Sequence, residues 1–323
     1  MKYKPGSVLI LDHVDEILSH FLKENGFEVI VDTTSSFEAL HHSLHRYQGV
    51  LLRSRWTLNA SFFEAAVQLL FIGRLGVGIE HIDEDCAAQR GVQILTTPEA
   101  SKDTVAEHTL GLILMLLNQL GKADREIRRN IWERKANSGI ELKGKTVGIL
   151  GFGNMGRAVA QRLSGFEVTM MFCDPLPISS IPSYIKQVNE ETLFRETDLL
   201  SIHIPLNEKN KNFVDYSYLS SFKKNLFIIN TARGGVLDTD ALVRHLKEGK
   251  VRGAALDVIE YEEQSFNELS IASLPPAFQY LKTSEQVVLN PHLAGLSVEV
   301  NAKHALVMAR KIAQLFNLEV HVS

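Results

Sequence analysis

Arg233, Glu262 and His292 are the residues whose types and order are best suited to chemistry. Each falls just past a short apolar run that reads as a strand, at 226–230, 253–258 and 287–289. Ligands of open α/β sheets bind beyond the carboxyl ends of strands, so three such groups should converge on one edge. Imidazole titrates near neutral pH and can give a proton to a carbonyl or take one back. A carboxylate against the far ring nitrogen orients the ring and favours its cationic form. A guanidinium grips a carboxylate with two donors and polarises the carbonyl beside it. The bland alternative is a set of unrelated surface ion pairs, and chain order alone leaves it open.

The stretch that must position these groups is 146–174. An apolar run, 147–150, meets Gly151-Phe-Gly153-Asn-Met-Gly156 directly. An alanine-rich amphipathic segment then leads to a second apolar run that ends at Asp174. This reads as strand, phosphate loop, helix, strand, the opening βαβ unit of a dinucleotide-binding domain. Gly151 permits the tight turn, Gly153 lets a pyrophosphate approach the backbone, and Gly156 lets helix and strand pack closely. The pyrophosphate would lie on the helix N-terminus, where free N–H groups face it. Asp174 is placed to accept from the adenosine ribose hydroxyls and would repel a 2′-phosphate. No lysine or arginine stands in Asp174-Pro-Leu-Pro to receive one, so NAD is expected over NADP.

The rest of the chain is organised around this unit. Its 323 residues suggest two domains. Short β and α segments alternate through residues 4–100 and argue for a smaller parallel sheet. Helices are expected at 12–25, 36–47, 61–66 and 82–90. One long helix is expected over 104–129, apolar in its first half and amphipathic in its second. Glu107 and His108 interrupt its apolar stripe and read as satisfied polar groups at a domain seam. A last amphipathic helix, from Ser297 to about Phe316, has no strand of its own to pack on. It would return to the first unit, giving two related sheets facing across a cleft. The expected division is 1–100 and 296–323 for one domain and 101–295 for the dinucleotide domain, an α/β fold of two Rossmann-like parallel sheets.

Composition excludes several classes. A net charge of −4 with scattered lysines and arginines leaves no basic footprint for nucleic acid. The N-terminus lacks the apolar segment of a signal peptide, and the apolar run near Leu110 is too short to span a bilayer. Cys86 and Cys173 form neither a disulfide framework nor a metal motif. Both suit a reducing cytoplasm, and no metal is expected.

The chain resembles the D-isomer-specific 2-hydroxyacid dehydrogenases along nearly its whole length. The matching pieces are Arg53-Ser54-Arg55, Leu75-Gly-Val77-Gly78 with Ile82-Asp83, Thr104-Val-Ala-Glu107 and the glycine loop 151–156. Further on come His203-Ile-Pro205-Leu, Asn230-Thr231-Ala232-Arg233-Gly234, Asp257-Val with Glu262, and Pro291-His292-Leu-Ala-Gly295. The resemblance implies NAD-linked hydride transfer between a D-2-hydroxyacid and its 2-oxoacid. It makes His292 the general acid/base, Glu262 its partner and Arg233 the substrate anchor. It implies that the backbone amides of Val77 and Gly78 receive the substrate carboxylate as an anion nest. It also implies cofactor contacts at Gly151, Gly153, Asn154, Met155, Gly156, Asp174, His203, Pro205, Thr231, Ala232, Arg233, Asp257, His292 and Gly295. A homodimer formed through the nucleotide domains is the family's usual assembly. Two departures stand out. Glu263, not proline, follows Glu262, and the apolar stretch 264–286 is longer than a minimal connection. That stretch reads as a subunit or cleft-lining loop, or as exposed filler.

Arg53-Ser54-Arg55 resembles the pattern with which phosphoglycerate dehydrogenases contact the substrate phosphate. Two forked cations suit a dianion. Only one of the two need reach the ligand. D-3-phosphoglycerate and 3-phosphohydroxypyruvate are therefore the favoured pair, with glyoxylate, hydroxypyruvate or D-lactate chemistry as the alternative. Phe62, Phe63 and Trp132 read equally as core or as substrate selectors. No regulatory domain is expected after residue 323, and hence no serine feedback through one. A cofactor-sensing corepressor on the same fold would not need a proton donor. Formate chemistry would not need Glu262, and phosphite chemistry remains a minor alternative.

Overall fold

The computed structural model describes residues 3–262 and 274–319. It divides the chain into two compact units, Met1–Ser101 with Leu296–Ser323, and Lys102–Gly295.

In the first unit β1 (Ser7–Ile10), α1 (Glu16–Glu24), β2 (Glu28–Val31), α2 (Phe37–Leu40) and β3 (Gly49–Leu52) follow in turn. Then come α3 (Ala60–Ala65), β4 (Phe71–Arg74), α4 (Glu84–Gln89) and β5 (Gln93–Thr96). The strands form one parallel sheet in the order β2-β1-β3-β4-β5. Helices begin where Asp15, Asn59 and Asp83 cap free N–H groups of the first turn. The helix expected over 36–47 is a single turn, α2, followed by a 3₁₀ segment at His41–Arg46. There the Ser43 hydroxyl donates to the Leu40 carbonyl, a local bond that competes with helix continuation.

The helix expected over 104–129 is two helices, α5 (Pro98–Leu117) and α6 (Leu120–Ile127). Proline begins α5 six residues early because a first-turn position needs no N–H donor. The break falls at Gln119, whose φ is +53°, after the Asn118 side chain has donated back to the Leu114 carbonyl.

The second unit runs β6 (Thr146–Leu150), α7 (Asn154–Leu163), β7 (Thr169–Cys173), β8 (Lys186–Gln187), α8 (Glu190–Glu196) and β9 (Leu199–Ile202). It continues through α9 (Tyr216–Ser221), β10 (Leu226–Asn230), α10 (Thr239–Lys247), β11 (Val251–Leu256), α11 (Pro276–Thr283) and β12 (Val287–Leu289). All seven strands are parallel, in the order β12-β11-β10-β9-β6-β7-β8. The central strands are apolar on both faces because helices cover both. One apolar cluster joins Leu200, Ile228 and Leu256 to Leu242 and Phe278. The other joins Val147, Ile149 and Ile229 to Ile113, Val159 and Leu163. Of the stretch 264–286, residues 264–273 lie outside the described residues. Helix α11 is neither loop nor filler, since Ala277, Phe278 and Leu281 are buried in the core.

The last helix, α12 (Val300–Phe316), belongs to the first unit. Ala305, Met308, Ala309, Ile312, Ala313 and Phe316 join Val8, Ile10 and Phe71 in one buried cluster. Alanines one turn apart let the helix lie close on the sheet, and Phe316 packs edge-on against Phe27 at 4.9 Å. The α/β class with two parallel sheets is as expected. Among the described residues no helix is long and apolar enough to cross a membrane.

Candidate active site

Strand order in the second sheet sets out the site along its carboxyl edge. The ends of β12, β11, β10, β9, β6 and β7 carry in turn His292, Asp257 with Glu262, Thr231-Ala232-Arg233, His203 to Pro205, the glycine loop, and Asp174. From β6 the chain runs outward through β7 and β8, then crosses back to β9 on the other side of β6, the switch point at which open sheets bind ligands.

The glycine loop fits a dinucleotide. Gly151 has a φ of +90°, and a side chain there would meet the His203 carbonyl. A Cβ on Gly156 would collide with the Gly151 carbonyl oxygen, so this glycine is required by packing. A Cβ on Gly153 would touch no protein atom. Packing therefore does not demand that glycine, whereas a pyrophosphate against the backbone would. Gly153 caps α7 without a side chain, and Asn154 and Met155 open the helix with N–H groups suited to an anion. Asp174 accepts from the amides of Phe152 at 2.7 Å and Leu176 at 2.9 Å. Each carboxylate oxygen has further lone-pair capacity for ribose hydroxyls. Arg157 lies outside Asp174-Pro-Leu-Pro, on α7. Its guanidinium lies 4.8 Å over the Phe152 ring and donates to the Ser180 carbonyl at 2.6 Å.

His203, at the end of β9, shares a hydrogen bond with the Ser201 hydroxyl at 2.8 Å, and burial pushes it down to about 4. It is a neutral ring. The Thr231 hydroxyl meets that of Thr109 at 3.0 Å, and the Pro205 carbonyl accepts from Asn210. Gly295 ends the unit with open space where a Cβ would stand.

The structure brings two of the three chemical groups into direct contact. Nδ1 of His292 lies 2.7 Å from Oε2 of Glu262, and Oε1 of the same carboxylate accepts from the Ile259 amide at 2.6 Å. Glu262 is thus the histidine's partner, while Glu263 lies outside the described residues. Arg233 stands on the neighbouring strand end. Asn230, fully buried, holds its turn by accepting from the Ala232 amide and donating to the Arg233 carbonyl, both at 3.0 Å. A Cβ on Gly234 would overlap the Ile259 carbonyl, so this glycine lets the Arg233 and Glu262 loops touch.

Asp257, expected at the cofactor, also braces the turn that carries His292. It is fully buried, and its two oxygens accept from the amides of Leu293 and Ala294, each at 2.8 Å. Its backbone carbonyl accepts from the His292 amide at 2.8 Å. These bonds hold His292 at a φ of +54°, a left-handed conformation that a non-glycine residue keeps only when its surroundings impose it. Burial works to raise the Asp257 pKa, but His108 at 3.2 Å and the two amides outweigh it and hold the carboxyl below its usual range. His108 also meets the Asn290 side chain at 3.0 Å. Neither His108 nor Asn290 was singled out for this role. The position of Asn290 directly before Pro291-His292 was the one available signal.

In the first unit the two arginines of Arg53-Ser54-Arg55 separate. Arg55 turns its guanidinium to the protein: it donates to the carbonyls of Leu11 at 2.9 Å, Asp32 at 3.0 Å and Ser35 at 2.5 Å. Arg53 points the other way, with Nη1 3.3 Å from the Asn301 side chain on α12 and its amide bonded to Asp12. Ser54 lies between them, partly exposed. Arg74, absent from the sequence reading, ends the adjacent strand and donates to the Leu75 carbonyl at 3.0 Å. Val77 is exposed, and no described residue accepts from its amide or from that of Gly78. Phe62 and Phe63 are core residues, and Trp132 is largely exposed.

Comparison with known proteins gives the family. Residues 110–294 match the family of D-isomer specific 2-hydroxyacid dehydrogenases, NAD binding domain. The chain is 33% identical over 310 residues to D-3-phosphoglycerate dehydrogenase of Archaeoglobus fulgidus, covering 95% of this chain but only 57% of that protein's length. It is 35% identical over 296 residues to glyoxylate reductase of Thermofilum pendens, covering 90% of this chain and 84% of that protein. A crystal structure of an NADPH-dependent glyoxylate/hydroxypyruvate reductase from Sinorhizobium meliloti, in complex with NADP and malonate, matches with a TM-score of 0.78 and 27% identity. That match covers 97% of this chain and 94% of the other. The chain belongs to the D-isomer specific 2-hydroxyacid dehydrogenase family, and its second unit carries that family's NAD-binding domain.

Proposed function

We propose that the protein is an NAD-dependent D-2-hydroxyacid dehydrogenase acting on D-3-phosphoglycerate and 3-phosphohydroxypyruvate. The observation that carries the oxidoreductase reading is the contact between Glu262 and His292 beside Arg233, on adjoining strand ends of an NAD-binding sheet. Bound NAD supplies or accepts the hydride. Glu262 holds Nδ1 of His292 and so orients the ring, whose Nε2 gives a proton to the oxo oxygen in reduction and takes it back in oxidation. Arg233 grips the 2-oxoacid group by its two-pronged donors. Asp174 carries the charge that disfavours a 2′-phosphate, so NAD is preferred over NADP.

The phosphorylated substrate rests on the first unit. Arg53 and Arg74 end neighbouring strands, and both depress the same buried histidine, His304. Two guanidiniums converging in this way suit a dianion, while Val77 and Gly78 offer their amides to the carboxylate. The similarity to a glyoxylate reductase supports a second reading, reduction of glyoxylate or hydroxypyruvate. Exposed Leu120, Ile127, Ile131 and Trp132 on and after α6 suit a homodimer formed by the second unit. The unpaired Cys86 and Cys173 suit a cytoplasmic setting.

NADH consumption with 3-phosphohydroxypyruvate, hydroxypyruvate, glyoxylate and pyruvate tests both readings. A preference for the phosphorylated acid, lost in Arg53→Ala, supports the first. A preference for hydroxypyruvate or glyoxylate that ignores Arg53 supports the second. NADH binding without turnover of any 2-oxoacid removes both.

A further inference from the structure

The turn Leu75 to Gly78 owes its shape to contacts that point away from its open side. Arg74 donates to the Leu75 carbonyl. The Gly76 carbonyl is taken by Thr97, from its amide at 2.8 Å and its hydroxyl at 3.5 Å. The C=O of one residue and the N–H of the next point in opposite directions across a planar peptide. Pinning the Gly76 carbonyl to Thr97 therefore turns the Val77 N–H outward, where no described residue accepts it.

Thr97 is itself held from behind. Its hydroxyl lies 2.6 Å from Nδ1 of His304, on α12. Both residues are buried, Thr97 fully and His304 with 4% of its surface exposed. A hydroxyl has one proton to give. If that proton goes to the Gly76 carbonyl, the hydroxyl accepts from His304, and the chain runs His304 Nδ1–H to Thr97 to Gly76. The ring is neutral, because burial first and Arg53 and Arg74 second push it down to about 4. One turn earlier on the same helix, Asn301 receives Arg53. Two turns later Lys311 donates to the Thr96 carbonyl at 2.8 Å, so α12 fastens the end of β5 at a second point.

We propose that His304, acting through Thr97, is a positioning residue that aims the Val77 amide at the substrate carboxylate. The proposal rests on the reading of Val77 and Gly78 as the carboxylate nest. It goes beyond that reading by naming what sets the turn. His304 touches no substrate. It keeps the Thr97 hydroxyl directed at Gly76 and, being neutral, adds no charge to an acid already met by arginines.

The test compares Thr97→Val, Thr97→Ser, His304→Leu, His304→Asn and the double variant Thr97→Val/His304→Leu in the full chain. Asparagine can place an N–H where Nδ1 stands, and leucine cannot. Loss of one aligned donor to a carboxylate should raise KM for the 2-oxoacid about tenfold or more in Thr97→Val and His304→Leu. The kcat and the NADH dissociation constant should stay within about threefold, and Thr97→Ser and His304→Asn should recover KM. The double variant should be no worse than Thr97→Val, because the two residues act in series. Multiplying effects, an asparagine no better than leucine, or a fall in melting temperature without a change in KM would overturn the proposal. If His304→Leu does not fold, the Thr97 pair and His304→Asn decide by the same criteria. A wild-type enzyme that turns over no 2-oxoacid defeats the functional reading instead. Oxalate affinity, measured calorimetrically on the same proteins, then reads the turn: the same ranking supports the proposal and uniform affinity overturns it.

Discussion

Oε2 of Glu262 lies 2.7 Å from Nδ1 of His292, and the opposite oxygen of that carboxylate is tied to the Ile259 amide. The carboxylate is fixed on one side so that its other side can fix the imidazole. A ring held this way presents one nitrogen to chemistry in a constant direction. His292→Ala should cut kcat about a hundredfold or more while the NADH dissociation constant stays within about twofold. Glu262→Gln should cut kcat by a smaller factor, and the double variant should be little worse than His292→Ala, since the pair acts as a unit. Stopped-flow turnover and NADH fluorescence titration measure the two quantities. A collapse of NADH affinity with normal turnover per bound cofactor would make His292 structural.

Asp257 supports that arrangement from behind. Asp257→Asn keeps an oxygen for one of the Leu293 and Ala294 amides but sets an N–H against the other. Leaving a buried donor unpaired costs about 1–3 kcal/mol. Denaturant midpoints should fall accordingly, and kcat should fall with the freedom gained by His292. Full activity at reduced stability would show that the left-handed His292 turn does not depend on this carboxylate. Because the Asp257 pKa is lowered in the folded state, its contribution is present above the unfolded carboxylate value and is lost as pH falls through the lower folded one.

Much of this machinery was legible in the chain because glycines and apolar runs report local geometry. The loop 151–156, the strand ends at Arg233 and His292, and the pairing of Glu262 needed only periodicity, glycine chemistry and a family resemblance. What stayed hidden depends on partners distant in sequence. On a regular strand Arg53 and Arg55 would share a face, but residues 53–56 bend after β3, and nothing in their spacing told that the carbonyls of Leu11, Asp32 and Ser35 would claim Arg55. Nothing at Gln119 resembles a breaker, since neither glycine nor proline stands there, yet the helix ends. His304 looked like one more residue of an amphipathic helix. Its meaning comes from Thr97, which lies more than 200 positions earlier.

Asp174 holds the glycine loop by the Phe152 amide, and in the proposed function its charge faces the ribose. Asp174→Ala should weaken NAD binding and narrow the gap to NADP by removing the charge that repels the added phosphate. Dissociation constants for NADH and NADPH measured side by side decide this. An unchanged ratio would remove Asp174 from cofactor selection.

His304 and His203 should make stability depend on pH on the acid side. Both are pushed down to about 4 by burial, with Arg53 and Arg74 adding to the effect on His304. An unfolded histidine titrates near about 6.5. Between these values the unfolded chain binds protons that the folded chain refuses, so stability drops as pH falls. The contribution is complete above about 6.5 and is lost toward 4, at about 1.4 kcal/mol per pH unit for His304. Urea unfolding at pH 7 and pH 5 should show a drop that is smaller by about 2 kcal/mol in His304→Asn. Equal drops would mean that His304 protonates in the folded state without penalty.

Arg53 and Arg55 stand two residues apart and should fail in different ways. Arg55 gives three charge-assisted hydrogen bonds to carbonyls of two segments, one at Leu11 and the other at Asp32 and Ser35. Its removal leaves those carbonyls to water and loosens the edge of the first sheet. Arg55→Ala should cost about 2–3 kcal/mol of stability, with KM unchanged for the protein that remains folded. Arg53 spends its guanidinium on one long contact with Asn301, so Arg53→Ala should leave the melting temperature nearly unchanged. It should instead raise KM for 3-phosphohydroxypyruvate about tenfold or more, and far less for glyoxylate, which has no distal anion. Lys cannot reproduce the fork, so Arg53→Lys should recover only part of the loss. If the roles were exchanged, with Arg55→Ala losing phosphate preference in a protein of normal stability, the assignment of the two arginines would be reversed.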